Sequence, residues 1–321
     1  MKVLVTGGAG YVGSTLVPEL LAAGHSVRVL DSLLHGGQSL LPLWTHPRFD
    51  FVRGDVRDDP IIRQAVVGME AVVHLAAVVG DPACARQPDT ARDVNQVASL
   101  ALLDAARRAG VARFLFASTC SNYGKMAESD GYVDESSDLR PVSLYAETKV
   151  AVERAMLGDG IGVTAMTPLR FATVFGVSPR MRFDLTVNEF TMEMVLREKL
   201  VVFGEQFWRP YVHVRDTARA IVAVLQAPDR QVRGQVFNVG STKENYQKQH
   251  IVDHIRPIAP NATVEFVKRT EDPRDYRVSF ARIHKTLGFE VSRTLDDGIR
   301  EVARLVRDGV VGDASHPSYR N

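Results

Sequence analysis

The chain opens with a short apolar segment that runs straight into glycines, Val3-Leu4-Val5-Thr6-Gly7-Gly8-Ala9-Gly10-Tyr11-Val12-Gly13, and then into a helical pattern over Ser14–Ala23. Strand, glycine turn and helix in immediate succession begin a βαβ unit. The spacing is G-x-x-G-x-x-G, and each glycine has a task. Gly7 permits the tight turn, Gly10 lets backbone approach a pyrophosphate, and Gly13 lets the helix pack closely on the strand. With Tyr11 and Val12 between them, the turn leads into a helix start whose N–H groups and positive dipole end suit phosphates. The segment therefore points to a bound dinucleotide.

The same rhythm continues. Val3–Val5, Val27–Leu30, Phe49–Val52, Ala71–Leu75, Phe114–Ala117 and Val163–Arg170 read as strands. They are largely continuous in hydrophobicity, as strands covered on both faces are. Helical patterns fall between them at Ser14–Ala23, Ile61–Val67, Ala91–Ala109 and Leu144–Met156. Alternating β and α elements predict an α/β fold, a doubly wound, Rossmann-like parallel sheet. Past about residue 175 the alternation degrades, and turns such as Pro179-Arg180-Met181-Arg182 accumulate prolines and arginines. We therefore expect a dinucleotide-binding domain over residues 1–174 and a smaller C-terminal substrate lobe over 175–321. No linker marks that boundary, so elements are free to interleave, and the cleft between the lobes is the expected substrate site.

Composition narrows the function. With 39 Lys+Arg against 38 Asp+Glu the net charge is +1, which argues against a nucleic-acid or membrane-surface partner steered by a basic field. Two cysteines, Cys84 and Cys120, exclude a disulfide scaffold or a Cys-rich zinc module, and the histidines lack metal-ligand spacing, so no metal is expected. No apolar run approaches the ~20 residues that span a bilayer. A reducing, cytoplasmic home is the expectation.

Asp31 ends the second strand, where a carboxylate accepts hydrogen bonds from adenosine ribose hydroxyls and repels a 2′-phosphate. NAD is thus favoured over NADP. Asp55 and Val56, after the third strand, stand where an adenine ring would lie. Leu75, Ala76 and Ala77, after the fourth, offer small side chains where backbone passes a cofactor, although helix–sheet packing explains them equally well. Tyr145 and Lys149 share a helix face. An ammonium beside a phenol favours the phenolate, which would make Tyr145 a base near neutral pH, and Lys149 can also bond the nicotinamide ribose. A hydroxyl within Ala117-Ser118-Thr119-Cys120-Ser121-Asn122-Tyr123-Gly124, at the end of the fifth strand, can bond the same substrate oxygen. His74 reads as a packing histidine, and Asn95 as a side chain that bonds backbone near the site.

In this order, Thr6–Gly13, Asp31, Gly54-Asp55, His74–Ala77, Ser118–Gly124 and Tyr145–Lys149 resemble the extended short-chain dehydrogenase/reductases, specifically the NAD-dependent nucleotide-sugar epimerase/dehydratase family. The resemblance implies a nucleoside-diphosphate sugar as substrate and a homodimer formed through the helices at Ala91–Ala109 and Leu144–Met156. It makes Tyr145 the base and Thr119 its hydroxyl partner. It places Arg209 on the diphosphate, with Arg274, Arg180 and Arg182 as further phosphate ligands. Thr173 stands where many relatives have Asn. Cys120-Ser121 stands where the 4,6-dehydratases have Asp-Glu, so dehydration ranks below epimerisation at C4 through a transient 4-keto sugar. A 3- or 5-epimerase would need a further acid/base, for which Cys120 is a candidate if its thiolate were stabilised, and a small packing residue otherwise. A net dehydrogenase or ketoreductase, and a non-catalytic NAD-binding regulator, remain the alternatives.

Overall fold

Six short segments of the first half become strands of one sheet: β1 (Lys2–Thr6), β2 (Ser26–Asp31), β3 (Phe49–Arg53), β4 (Ala71–His74), β5 (Arg113–Thr119) and β6 (Ala165–Phe171). The chain is seen in a computed structural model that describes residues 1–126, 131–158, 163–269 and 274–321. The second half supplies β7 (Thr173–Phe175), β8 (Lys199–Phe203), β9 (Trp208–His213), β10 (Phe237–Val239), β11 (Asn245–Gln247) and β12 (Thr263–Val267). The large sheet runs β10-β6-β5-β4-β1-β2-β3, and every neighbouring pair is parallel. The order reverses between β1 and β4, and ligands of open α/β sheets collect at the strand ends beside such a switch. The small sheets, β11-β9-β7 and β12-β8, belong to the second lobe.

β10 is the one member of the large sheet that the sequence pattern does not reveal. Three residues, Phe237-Asn238-Val239, carry no readable periodicity, yet all three are buried against β6. The sheet thus takes its outermost strand from beyond residue 175.

Helices cover both faces. They are α1 (Gly13–Ala22), α2 (Asp59–Val66), α3 (Asp81–Arg86), α4 (Pro88–Arg92), α5 (Ser99–Arg108) and α6 (Leu144–Gly158), with α8 (Val214–Gln226) from the second half, whereas α7 (Thr186–Met192) packs in the second lobe. On one face Leu16 and Leu20 of α1 share a core with Ile221 and Val224 of α8. On the other, Ile62, Leu102, Leu103, Val152 and Met156 cover β4 and β5. The helix expected over Ala91–Ala109 is one run that widens into a π-turn at Asp93–Ala98 before α5 continues. That turn carries Asn95, whose amide accepts from the Val78 N–H at 2.8 Å and donates to the Val78 carbonyl at 2.9 Å.

A buried ion pair fixes α6 to the sheet. Arg170 of β6 donates from Nη2 to Glu153 Oε2 at 2.7 Å and from Nε at 3.1 Å, with both side chains at most 4% exposed. The same carboxylate accepts from Asn122 Nδ2 at 2.9 Å and from the hydroxyl of Ser118, one residue before Thr119. Arg170 Nη1 donates to the Tyr123 hydroxyl at 2.9 Å, which donates on to Asn238 of β10 at 2.7 Å. Fully partnered, such a pair specifies one arrangement, whereas losing one partner strands the other charge.

Glu153→Ala should therefore cost about 3–5 kcal/mol in chemical denaturation. The paired change Glu153→Leu with Arg170→Met should cost less than the single one. A double variant as unstable as the sum of its parts would show that the charges are not coupled.

Candidate active site

The glycine turn closes under tight steric control. Gly7 has φ +74°, and a Cβ there would lie 2.8 Å from the Ala76 nitrogen. A Cβ on Gly13 would lie 2.2 Å from the Gly7 carbonyl oxygen, so α1 starts against the turn with no room for a side chain. Gly10 is looser, its only close neighbour being that carbonyl at 3.2 Å. α1 begins without a side-chain cap. Tyr11 gives the turn only its backbone, because its hydroxyl donates to the Gly176 carbonyl at 2.6 Å inside the second lobe. Val12 is half-buried against the same packing.

Asp31 holds the turn in shape. Its Oδ2 accepts from the Ala9 N–H at 2.9 Å and its Oδ1 from the Leu33 N–H at 2.8 Å, while burial pushes its pKa up. Asp55 is gripped by its neighbour Arg57, whose Nη2 donates at 2.7 Å and Nε at 3.0 Å, holding the carboxyl below its usual range. The Val56 side chain packs into the core beside Leu30 and Ile62. At the end of β4 the Leu75 N–H bonds the Thr6 carbonyl at 3.1 Å and the Ala76 N–H bonds Thr6 Oγ1 at 3.3 Å; Leu75, Ala76 and Ala77 are half-buried along this edge. His74 sits between Thr6 Oγ1 at 2.6 Å and Ser99 Oγ at 2.8 Å, and burial pushes its pKa down to about 3. It is a neutral packing group.

Tyr145, Lys149 and Glu153 form one stripe along α6. The Lys149 ammonium is 2% exposed and lies 4.6 Å from the Phe116 ring centroid and 5.8 Å from that of Tyr145. Among the described residues it has no hydrogen bond and no ion pair. Burial pushes its pKa down to about 8. The expected lowering of the Tyr145 pKa is reversed: burial drives it up, and the Cys84 thiol and Asp81 carboxylate add to the rise. Desolvation of a phenolate here outweighs the attraction of Arg182.

Thr119 Oγ1 accepts from the Ser121 N–H at 3.1 Å at the tip of β5. Of the two readings of Cys120, the geometry favours packing over acid/base chemistry. Its thiol points into the core toward the Arg170 carbonyl at 3.3 Å, and burial raises its pKa well above the usual thiol range. It is a packing residue, and no acid/base task falls to it.

The four expected phosphate arginines part into two groups. Arg209 donates to the Trp208 carbonyl at 2.7 Å and lies 5.3 Å over the Tyr276 ring. Tyr276 in turn donates to Ser121 Oγ at 3.3 Å. Arg274 pairs with Asp81 at 2.6 Å, and Ser143 donates to the same carboxylate at 2.7 Å. Thr173 is half-buried on β7, in register with Tyr211. Arg180 and Arg182 go elsewhere, to the first turn of α1 and to Asp184. Sequence reasoning missed Asp81, Ser143 and Tyr276, which act on Tyr145 or its surroundings only through the fold. It also missed a cavity of about 600 Å³ on the second lobe, lined by Thr186, Leu200, Phe203 and Lys248 among others. Among the described residues no group of three His, Cys, Asp or Glu side chains is arranged to hold a metal ion, and no helix is long and apolar enough to cross a membrane.

Against known proteins, the model of the NAD dependent epimerase/dehydratase family matches residues 3–240. The UDP-glucose 4-epimerase of Corynebacterium glutamicum is 30% identical over 346 aligned residues, covering 100% of this chain and 99% of the relative. The structure of the Thermus thermophilus UDP-glucose 4-epimerase in complex with NAD aligns with a TM-score of 0.83 at 27% identity, over 96% of this chain and 99% of that one. A dTDP-glucose 4,6-dehydratase of Streptomyces venezuelae, solved with NAD, aligns with a TM-score of 0.85 at 27% identity, over 97% and 98% of the two chains.

The residues present fit a dinucleotide: a turn with no space for Cβ atoms, an uncapped helix start beside it, and a buried ammonium short of acceptors. Gly13→Ala should push α1 away from the turn and weaken NAD binding at least about 100-fold, a loss of some 2.7 kcal/mol or more. Calorimetric titration checks this, with circular dichroism unchanged; a variant that binds NAD like the wild type would remove the turn from the site.

Proposed function

The chain belongs to the NAD dependent epimerase/dehydratase family, and on that premise we propose that it inverts C4 of a nucleoside-diphosphate sugar, with UDP-hexoses first among the substrates and Tyr145 as the base. The observation that carries this reading is the state of the two side chains after Thr119. Cys120 is buried and protonated, and Ser121 is engaged by Tyr276, so the site holds no acid/base pair for removing water. We assign the proton exchange to the Tyr145 phenol, and inversion at C4 needs no further acid/base group.

NAD is the cofactor of the family; when bound, it supplies a hydride acceptor and donor at the sugar carbon. The chain's own residues do the rest. Gly7, Gly10 and Gly13 admit the dinucleotide backbone, and Asp31 faces the ribose end. Lys149, charged below about pH 8, offers its ammonium to ribose hydroxyls and to the Tyr145 oxygen. Arg182 also lies near enough to favour the phenolate. Tyr145 takes the proton of the C4 hydroxyl and gives it back, with the Thr119 hydroxyl as its partner on the same oxygen, so no net proton is consumed. Arg209 and Arg274 are oriented by Tyr276 and Asp81 to meet the diphosphate. We assign the nucleoside end to the second-lobe cavity, whose volume of about 600 Å³ suits a small-molecule site.

Tyr145→Phe should lower turnover of UDP-glucose by about 10²–10⁴-fold while NAD binding stays as in the wild type. Product sugar should form with no build-up of reduced nicotinamide. Undiminished turnover in this variant would sink the assignment of the base. The second expectation concerns pH. Lys149 loses its proton as pH rises through about 8, and with it the charge that favours the phenolate, so kcat/KM should fall on the alkaline side of about pH 8. A flat profile to pH 10 or so would mean that the ammonium is not needed.

A further inference from the structure

The stretch from Gly176 to Arg180 is stitched to the glycine turn and the first turn of α1. Besides the Tyr11–Gly176 bond, Ser178 Oγ donates to the Tyr11 carbonyl at 2.6 Å and lies 3.0 Å from Ser14 Oγ, Thr15 Oγ1 donates to Ser178 Oγ at 3.1 Å, and the Arg180 N–H donates to Ser14 Oγ at 3.2 Å. Arg180 thus emerges beside the uncapped start of a ten-residue helix. It is 7% exposed. Its Nη2 donates to the Arg320 carbonyl at 2.9 Å, its Nε has no hydrogen-bond partner, and among the described residues no carboxylate pairs with it. Its neighbour Arg182 is already spent on Asp184, with bonds of 2.9 and 2.7 Å, so the Asp184 charge is taken. His35, in the loop after β2, is pushed down to about 4 by partial burial and by both arginines, so it adds no charge near neutral pH. A buried guanidinium beside another cation is unfavourable by itself, and burial with Arg182 pushes its pKa down to about 10.

We propose that Arg180 is an anion ligand of the cofactor site, reaching from the second lobe to close on the diphosphate of the dinucleotide against the first turn of α1. A guanidinium fork matches phosphate oxygens, and a diphosphate supplies the negative charge that this corner lacks. The contacts choose between the two diphosphates a sugar-nucleotide enzyme handles. The segment is tied to the first lobe by the Arg180 backbone N–H on Ser14 and by Ser178 on Tyr11 and Thr15, all in the glycine turn and α1, and none of these contacts goes to the Arg209–Tyr276 side. Such a clamp joins the lobes through the cofactor and holds it from one turnover to the next. The inference rests on the reading that the glycine turn holds NAD, and its test is one of binding, independent of any sugar chemistry.

The full chain and its Arg180→Met and Arg180→Lys variants are titrated calorimetrically with NAD, ADP, adenosine and UDP. Arg180→Met should weaken NAD and ADP about 10–100-fold, the size of a charge-assisted contact, and leave adenosine and UDP within about twofold; Arg180→Lys should recover part of the loss. On the wild type, inorganic pyrophosphate should compete with NAD, which keeps the test alive if Arg180→Met does not fold. Three results overturn the proposal: unchanged NAD and ADP affinity, adenosine affinity falling in parallel, or loss confined to UDP. A wild type that binds NAD with this pattern yet turns over no sugar nucleotide would sink the proposed function alone.

Discussion

The carboxylate of Glu153 is the point on which the mutual setting of Tyr145, Lys149 and the tip of β5 depends. It lies one helical turn beyond Lys149 and two beyond Tyr145, and its partners belong to three other places: the end of β5, the turn after it and β6. Ser118 directly precedes Thr119, and Arg170 stands near the point where β6 gives way to the second lobe. A backbone shift in any one strand would break bonds to a charge that cannot reach water, so the helix and the strand tip are held in one mutual setting. Helix propensity alone does not do this, since α6 is buried by tertiary packing along much of its length.

The electrostatics of the phenol follow from that setting. A lysine beside a tyrosine suggests an acidified phenol if both sit in water. Here both are inside, and desolvation acts on each charged form before they act on one another. Burial acts on the two groups in opposite directions: the ammonium's proton is held less tightly, while the phenol's is held more tightly. The pair thus requires ligand oxygen atoms to become what the spacing suggested.

What was legible in the sequence, and what was not, divides along the range of the interactions. The glycine turn, Asp31 and the Tyr145–Lys149 spacing are local, and the strands of the first half are apolar runs, so their order and type could be read directly. β10 is three residues long, too short for any pattern, and is a strand because β6 has an edge to cover. The direction of Cys120 depends on where Arg170 and Asn238 stand. Arg180 and Arg182 sit in a turn whose composition is that of any arginine-rich surface, and only the folded chain ties Arg180 to Ser14 of α1 and Arg182 to Asp184. Asp81, Ser143 and Tyr276 come from three distant stretches and meet only in the folded chain. The widening at Asp93–Ala98, which aims Asn95 at Val78, has no compositional mark at all.

The late arrival of the outer strand bears on how the molecule is made. β5 and β6 can pair soon after synthesis, but the free margin of β6 must wait while α7, β8, β9 and α8 emerge. Through that interval an apolar strand with open N–H and C=O groups faces the cell, and neighbours in the same condition can add to it. Ribosome stalling or clipping between β6 and β10 would therefore yield sticky fragments rather than a self-sufficient nucleotide-binding half.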